Sequence, residues 1–295
     1  MNSSIILSIT TFVYAFASVL YIGSWTFKKD VMAKAGFFVL VAGFTGNTMG
    51  IILRWVESYK IGYGHAPFSN MYESLVFFSW TVAALYLFVE VKYRERIIGV
   101  FATPLIFLAI AYASLSPSIS DRIAPLLPAL KSNWLIAHVI TCFLGYAGFA
   151  VAFGFSIMYL LKPAKSGSSS ILPEVNSSDS QQSGTKFNAL IARLPSLDLM
   201  DELIHQMVMF GFLFLTIGII TGSVWANSAW GTYWSWDPKE TWSLITWFVY
   251  AILLHLRMMR GWYGKRIAWV SIIGFMAVLF TYFGVNLLPG LHSYI

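Results

Sequence analysis

Trp230-Gly231-Thr232-Tyr233-Trp234-Ser235-Trp236-Asp237-Pro238-Lys239-Glu240-Thr241-Trp242 is a short polar and aromatic stretch lying between two long apolar runs. Outward on one side the apolar residues run from about 203 to 224, and on the other from about 241 to 258. Six further runs follow the same pattern, at about 5–26, 34–55, 74–90, 97–115, 134–161 and 266–288. A helix needs ~20 apolar residues to cross the hydrocarbon of a bilayer. The third and seventh runs are short, and their flanking polar turns must complete them. Charged residues make up only 11% of the chain and hydrophobic ones 58%, whereas a soluble domain is about a quarter charged. The expected architecture is an all-α, polytopic membrane bundle of eight transmembrane helices, because lipid admits little else.

The basic residues give an orientation. Lys28, Lys29, Lys34, Lys92, Arg94, Arg96, Lys162, Lys165, Lys186, Arg193, Arg257, Arg260, Lys265 and Arg266 fall on one face when alternate connections are assigned to one side. Arg54, Lys60, Arg122, Lys131 and Lys239 fall on the other. The positive-inside rule then puts both termini and the Trp-rich loop outside. This asymmetry accounts for the net charge of +6, so that charge is no argument for a nucleic-acid partner. The start, Met1-Asn2-Ser3-Ser4, has neither a basic region nor a cleavage site of small residues and reads as an uncleaved first span. Cysteine occurs once, at Cys142. Dithiol chemistry and a covalently attached c-type haem are excluded for the chain alone, and Cys142 reads as packing.

Residues 165–186 are rich in Ser, Gly, Gln and Asn and read as a flexible cytoplasmic linker. The chain therefore divides into a group of five spans (1–164), the linker with an interfacial helix (165–202), and a group of three spans (203–295) carrying the external loop at 225–242.

Half of the twelve tryptophans lie between Trp225 and Trp247. An interfacial belt would scatter them over several helix ends. Packed into one loop, they suggest a built surface for a flat aromatic ligand, and haem is the candidate. His138 enters the fifth span near the outer face, and His292 follows the eighth span on the same face. A lone histidine at a helix end is ordinarily interfacial. Two that reach the level of the tryptophan loop suggest a pair of axial ligands, since imidazole is a normal ligand of haem iron. His255 lies near the inner end of the seventh span; it is either a functional intramembrane residue or a side chain snorkelling beside Arg257. His65 and His205 carry weaker expectations, in an outer loop and in a polar helix start.

Asp237-Pro238-Lys239-Glu240 has the spacing of a helix start, with Asp at N-cap, Pro at N1 and Glu at N3. Asn70 and Glu73 repeat that spacing ahead of the third span, so Glu73 reads as a cap partner. A cap does not exclude a ligand role for Asp237, because a helix start aims N–H groups at an anion such as a propionate. Arg54 and Lys239 are outer-face cations that could pair with propionates or anchor the interface.

The run Trp-Gly-x-Tyr-Trp-x-Trp-Asp-Pro-Lys-Glu-Thr at 230–241 resembles the WWD signature of haem-handling membrane proteins. Its ending is similar to the CcsA/ResC family of system II cytochrome c biogenesis, and less so to the system I members CcmC and CcmF. Ala66-Pro67-Phe68-Ser69-Asn70-Met71-Tyr72-Glu73-Ser74, Trp134-Leu135-Ile136-Ala137-His138-Val139 and Gly290-Leu291-His292-Ser293-Tyr294 extend the likeness over nearly the whole chain outside the linker. The resemblance implies a cytochrome c-type haem lyase (synthase) subunit in the bacterial inner membrane or the thylakoid membrane, with the loop on the periplasmic or lumenal side. It implies haem b held non-covalently by His138 and His292 against Trp230, Trp234, Trp236 and Asp237, and an inner haem site containing His255.

In fused members of that family a second intramembrane histidine comes from a CcsB/ResB portion that this sequence lacks. The resemblance therefore also implies a CcsB/ResB-like partner, together with apocytochrome c as substrate and thioredoxin-like proteins that keep its thiols reduced. Two readings compete with synthase activity. One is a haem exporter or chaperone that forms no covalent bond. The other is a membrane b-type cytochrome, which would need paired histidines at both depths.

Overall fold

A computed structural model describes residues 2–126, 130–163 and 190–288. His292 and residues 165–186 lie outside them, so the paired ligand and the linker expected at those positions are not described. Eight helices are long and apolar enough to cross a membrane, and no strand occurs among the described residues. They are α1 (Ser3–Phe27), α2 (Asp30–Lys60), α3 (Met71–Tyr93), α4 (Gly99–Leu115), α5 (Asn133–Leu161), α6 (Leu197–Trp230), α7 (Pro238–Arg260) and α8 (Lys265–Tyr282). Short 3₁₀ turns precede α4 (Arg96–Ile98) and follow α8 (Gly284–Leu287). The chain is an all-α integral membrane protein with the eight spans read from its apolar runs.

Several helices outrun those apolar runs because their ends are capped. The Asn70 side chain accepts the Glu73 N–H at α3, as its spacing predicts. Ser132 and Ser196 do the same for Trp134 and Leu199 at the starts of α5 and α6. Each such cap satisfies a backbone donor that the helix itself leaves unpaired.

One apolar core runs through both groups of helices. The α5–α6 pairing is the most extensive contact in the bundle, although the two helices lie on either side of residues 164–189. Glycines permit it. A Cβ at Gly148 would stand 2.9 Å from the Met207 carbonyl and 3.0 Å from the Gly211 backbone, and one at Gly145 3.0 Å from the Gly211 carbonyl. Backbones thus approach with no side chain between them, which is how transmembrane helices associate where lipid supplies no hydrophobic drive. Deeper in, Phe149 of α5 stacks on Tyr250 of α7 with ring centroids 3.5 Å apart.

The end of the first group that carries the α2–α3 connection is closed by a buried ion pair. Arg54 Nε lies 2.7 Å from Glu73 Oε1, with the two side chains 2% and 1% exposed. Glu73 Oε2 accepts the Ser69 N–H and O–H, each at 2.7 Å, and the Arg54 guanidinium lies 4.9 Å from the Tyr72 ring centre. Glu73 is therefore more than a cap partner. It neutralises Arg54, whose side chain is buried with it rather than exposed at the surface for a propionate. Removing one member leaves a buried charge without its counterion, at a cost of about 3–5 kcal/mol. Glu73→Leu is expected to lower the unfolding midpoint in detergent sharply, and adding Arg54→Met to recover most of the loss. A single variant as stable as wild type would show that the pair is not the latch.

Candidate haem site

The tryptophan stretch is less of a loop than its composition suggests. α6 continues through Trp225 and Trp230 and stops only at Gly231, whose φ of +79° lies in the left-handed region. Trp242 and Trp247 belong to α7. Of the six, Trp234 and Trp236 alone lie in the non-helical residues 231–237. The loop expected at 225–242 is thus a seven-residue turn between two helix ends that present most of the indoles.

Glu240 organises this turn. Its Oε2 accepts the Ser235 N–H (2.8 Å), the Ser235 O–H (3.1 Å) and the Asp237 N–H (3.3 Å). Asp237 is buried, caps α7 by accepting the Lys239 N–H at 2.9 Å, and completes the capping box read from the sequence. Thr241 Oγ1 donates to the Trp236 carbonyl at 3.3 Å. Pinned on both sides, Trp236 adopts a φ of +60° and stands 70% exposed. A bulky residue rarely visits that region, and holding it there costs on the order of 1–3 kcal/mol. Its indole is presented outward at the expense of backbone strain, with the Trp234 ring edge-on at 5.8 Å.

Beneath the turn, α5, α6 and α7 enclose a cavity of about 120 Å³. His138, Cys142 and Tyr146 of α5 line one wall, Gly222 and Trp225 of α6 another, and Tyr233, Trp234, Lys239 and Glu240 the mouth. His138 sits in a seat made by α6. Its Nδ1 lies 2.7 Å from the Gly218 carbonyl oxygen. That oxygen can only accept, so Nδ1 donates to it, which in the neutral ring leaves Nε2 the lone pair that can bind iron. A Cβ at Gly222 would fall 2.5 Å from the same Nδ1. Trp225 is buried and lies nearly parallel to the imidazole, at 13° and 6.2 Å. Behind it Trp230 meets Trp225 edge-on at 5.9 Å, with its indole N–H buried and unpartnered.

The structure thus brings His138, Trp225, Trp234 and Lys239 to one cavity, with Trp230 just behind and Trp236 and Asp237 in the turn above. His255 is elsewhere. It lies on an exposed face of α7, about 26 Å along that helix from Pro238, and cannot share a metal with His138. Arg257, its neighbour in sequence, turns inward to Asp201 at 2.6 Å. His65 is buried, its ring nitrogens 2.9 Å from the Ala66 and Ala124 carbonyls, where it ties two outer loops together. Cys142 packs as expected, but it also borders the cavity, with Sγ 3.6 Å from His138 Nδ1. Sequence reasoning missed Gly218 and Gly222. Their i, i+4 spacing on a membrane helix was the available signal.

Residues 68–292 match the family model of the cytochrome c assembly proteins. The chain belongs to that family. Relatives named cytochrome c biogenesis protein CcsA match it almost end to end. That of Synechococcus sp. (strain CC9902) is 42% identical over 93% of this chain and 91% of its own. The one from Chlorella vulgaris is 36% identical over 99% of this chain and 94% of its own. The one from Gloeobacter violaceus is 40% identical over 94% of this chain and 91% of its own. Among solved structures, cytochrome c haem lyase CcmF superposes with a TM-score of 0.64 over 96% of this chain at 14% identity. This family member spans about half the length of that structure (47%) and shares its fold.

A pocket for a drug-sized ligand is about 300–1,000 Å³, so a cavity of about 120 Å³ accepts part of a macrocycle rather than enclosing it. The donor set fits the remainder. One imidazole is in the ligating tautomer, indole and phenol faces surround the mouth, and a lysine stands at the rim.

Proposed function

We propose that this cytochrome c biogenesis protein is the haem-handling subunit of a membrane cytochrome c synthase. It holds haem b, as substrate, at the tryptophan turn for attachment to apocytochrome Cys-x-x-Cys-His motifs. The observation that carries this reading is the seat of His138, whose tautomer is set by the Gly218 carbonyl at the floor of an aromatic cavity. His292 is proposed as the second axial ligand. Lys239, at the cavity rim, is the residue suited to a propionate.

In the reaction each cysteine S–H adds across a haem vinyl group, forming a C–S and a C–H bond and expelling nothing. Haem and thiol supply that reactivity, and the protein supplies orientation. His138 would hold the haem through its iron. Tyr233 and Trp234 border the cavity beside it, Trp236 stands edge-on to Trp234, and the exposed side of these rings is where the apocytochrome is proposed to dock. Thioredoxin-like proteins are the proposed source of reduced thiols. The partner is proposed to be CcsB/ResB-like and to cover α7. This is the span with the smallest buried share, and His255 lies on its exposed face at membrane depth, where an ionisable group rarely faces lipid. His255 would there form half of an inner haem site. The basic face is assigned to the cytoplasm or stroma and the tryptophan turn to the periplasm or lumen.

The test is maturation of a Cys-x-x-Cys-His reporter in a bacterial host deleted for its own synthase, with and without the partner. Covalent haem staining of the reporter only when both membrane proteins are present is the expected result. Haem that accumulates on the far side while the reporter stays unmodified would establish the exporter instead.

A further inference from the structure

The basic face of the bundle, opposite the tryptophan turn, carries another cavity, of about 260 Å³. Its walls come from three places in the chain: the α1–α2 junction (Ser24, Trp25, Asp30), the turn between α3 and α4 (Arg94, Arg96), and Arg193 just before α6. Three arginines therefore line one space, and the contacts that Arg193 and Arg96 make within the protein are long. Arg193 reaches the Ser24 carbonyl at 3.3 Å and the Asp30 carboxylate at 3.4 Å, both long. Arg96 Nε stands 3.7 Å from Glu90 Oε1, beyond hydrogen-bond reach, while Tyr21 donates to the other Glu90 oxygen at 2.5 Å. Arg94 is held at a φ of +58° by the helix end, and none of the described ion pairs includes it.

Two carboxylates also border the cavity, Asp30 and Glu95, but that of Asp30 is 85% exposed. A third carboxylate, Glu90, is buried 3.7 Å from Arg96 and shared with Tyr21, and an anion in the cavity would pair with the arginines more closely than these long contacts do. Trp25, Ala33 and Ile97 make part of the lining apolar, and the Trp25 indole N–H is held by the Leu190 carbonyl at 3.0 Å. Planar forks of N–H donors converging on a roomy cavity match phosphate oxygens. The apolar residues among the lining suit what a phospholipid carries below its phosphate, and basic pockets between membrane helices take anionic headgroups.

We propose that Arg94, Arg96 and Arg193 form a phosphate-binding site that seats the headgroup of an anionic phospholipid on the basic face. The site joins the segment ahead of α6 to the α1–α2 and α3–α4 junctions, so its occupant braces the two groups of helices on the side away from the haem cavity. It stands independently of the haem reading.

Native mass spectrometry of the full chain, with phosphatidylglycerol, phosphatidylcholine or inorganic phosphate added, tests the proposal. Wild type is expected to retain phosphatidylglycerol in preference to phosphatidylcholine. Arg94→Asn, which suits the left-handed backbone, and Arg193→Lys, which keeps the charge but loses the fork, should each weaken retention roughly tenfold, the loss of one charge-assisted hydrogen bond. Lys265→Gln, on the same face but outside the cavity, should retain the lipid as wild type does. Inorganic phosphate bound by wild type and lost in both arginine variants, without any lipid preference, would make free phosphate the occupant of the same site. Equal retention by wild type and both arginine variants, or equal loss in Lys265→Gln, would overturn the proposal.

Discussion

His138→Ala is expected to cost the protein, purified with its partner, its low-spin haem. Under the proposed ligation an imidazole on each side of the iron gives a low-spin absorbance spectrum in both oxidation states. Taking one away should leave a high-spin or five-coordinate species and lower haem retention by about tenfold or more, since even supporting residues of a metal site are worth about 10–100-fold. The Gly218 carbonyl cannot be removed by substitution, but its effect on the ring can. Gly222→Ala puts a methyl 2.5 Å from His138 Nδ1, which must displace the imidazole from its acceptor. That variant should reproduce the spectral change while keeping the histidine. Cys142→Ser borders the same cavity and should leave the spectrum unchanged. Unaltered haem content and spin state in both His138→Ala and Gly222→Ala would move the site away from this cavity and toward His255.

The second large effect concerns the helix pair that makes the cavity. Gly148→Ala adds one methyl against the Met207 and Gly211 backbone at 2.9–3.0 Å, and backbone cannot rotate aside as a side chain can. α5 and α6 must separate or slide, at a cost of about 3 kcal/mol, and the His138 seat must open with them. Gly154→Ala on the same helix is the control, because its methyl meets only Phe101 at an ordinary 3.5 Å. There the gain in helix propensity, about 1 kcal/mol, should make the variant neutral or slightly more stable. Thermal unfolding in detergent, read beside haem content, separates the two. Equal midpoints for Gly148→Ala and Gly154→Ala would mean that the close approach is not what holds α5 to α6.

The spans and caps were legible because they are local. Twenty apolar residues specify a crossing wherever they stand, and Asp237-Pro238-Lys239-Glu240 carries its capping geometry within four positions. The site was legible only as a list of residue types at a common depth. Sequence could not say that His138 turns to a carbonyl 80 positions away. Nor could it say that Arg54 is consumed by a glutamate across a loop. His255 shows the limit most plainly. Apolar residues surround it on its helix, so periodicity offered no way to tell an inward face from a lipid-facing one. The tryptophans were read as one loop, but most of them stand on helix ends. Composition marks an aromatic surface, whereas the end of α6 is decided by the one residue that can turn left-handed, Gly231.

α6 has 34 residues, about 51 Å of helix at 1.5 Å per residue, against a hydrocarbon layer of about 30 Å. Even at a tilt of about 40°, about two turns, shared between the two ends, stand clear of the acyl chains. The apolar run of this helix ends near 224, so the turns that follow it, with Trp225 and Trp230, are suited to the level of the headgroups. A water-soluble polypeptide could meet the indole surface there without ever partitioning into oil, while the lower half of the same helix stays clamped against α5.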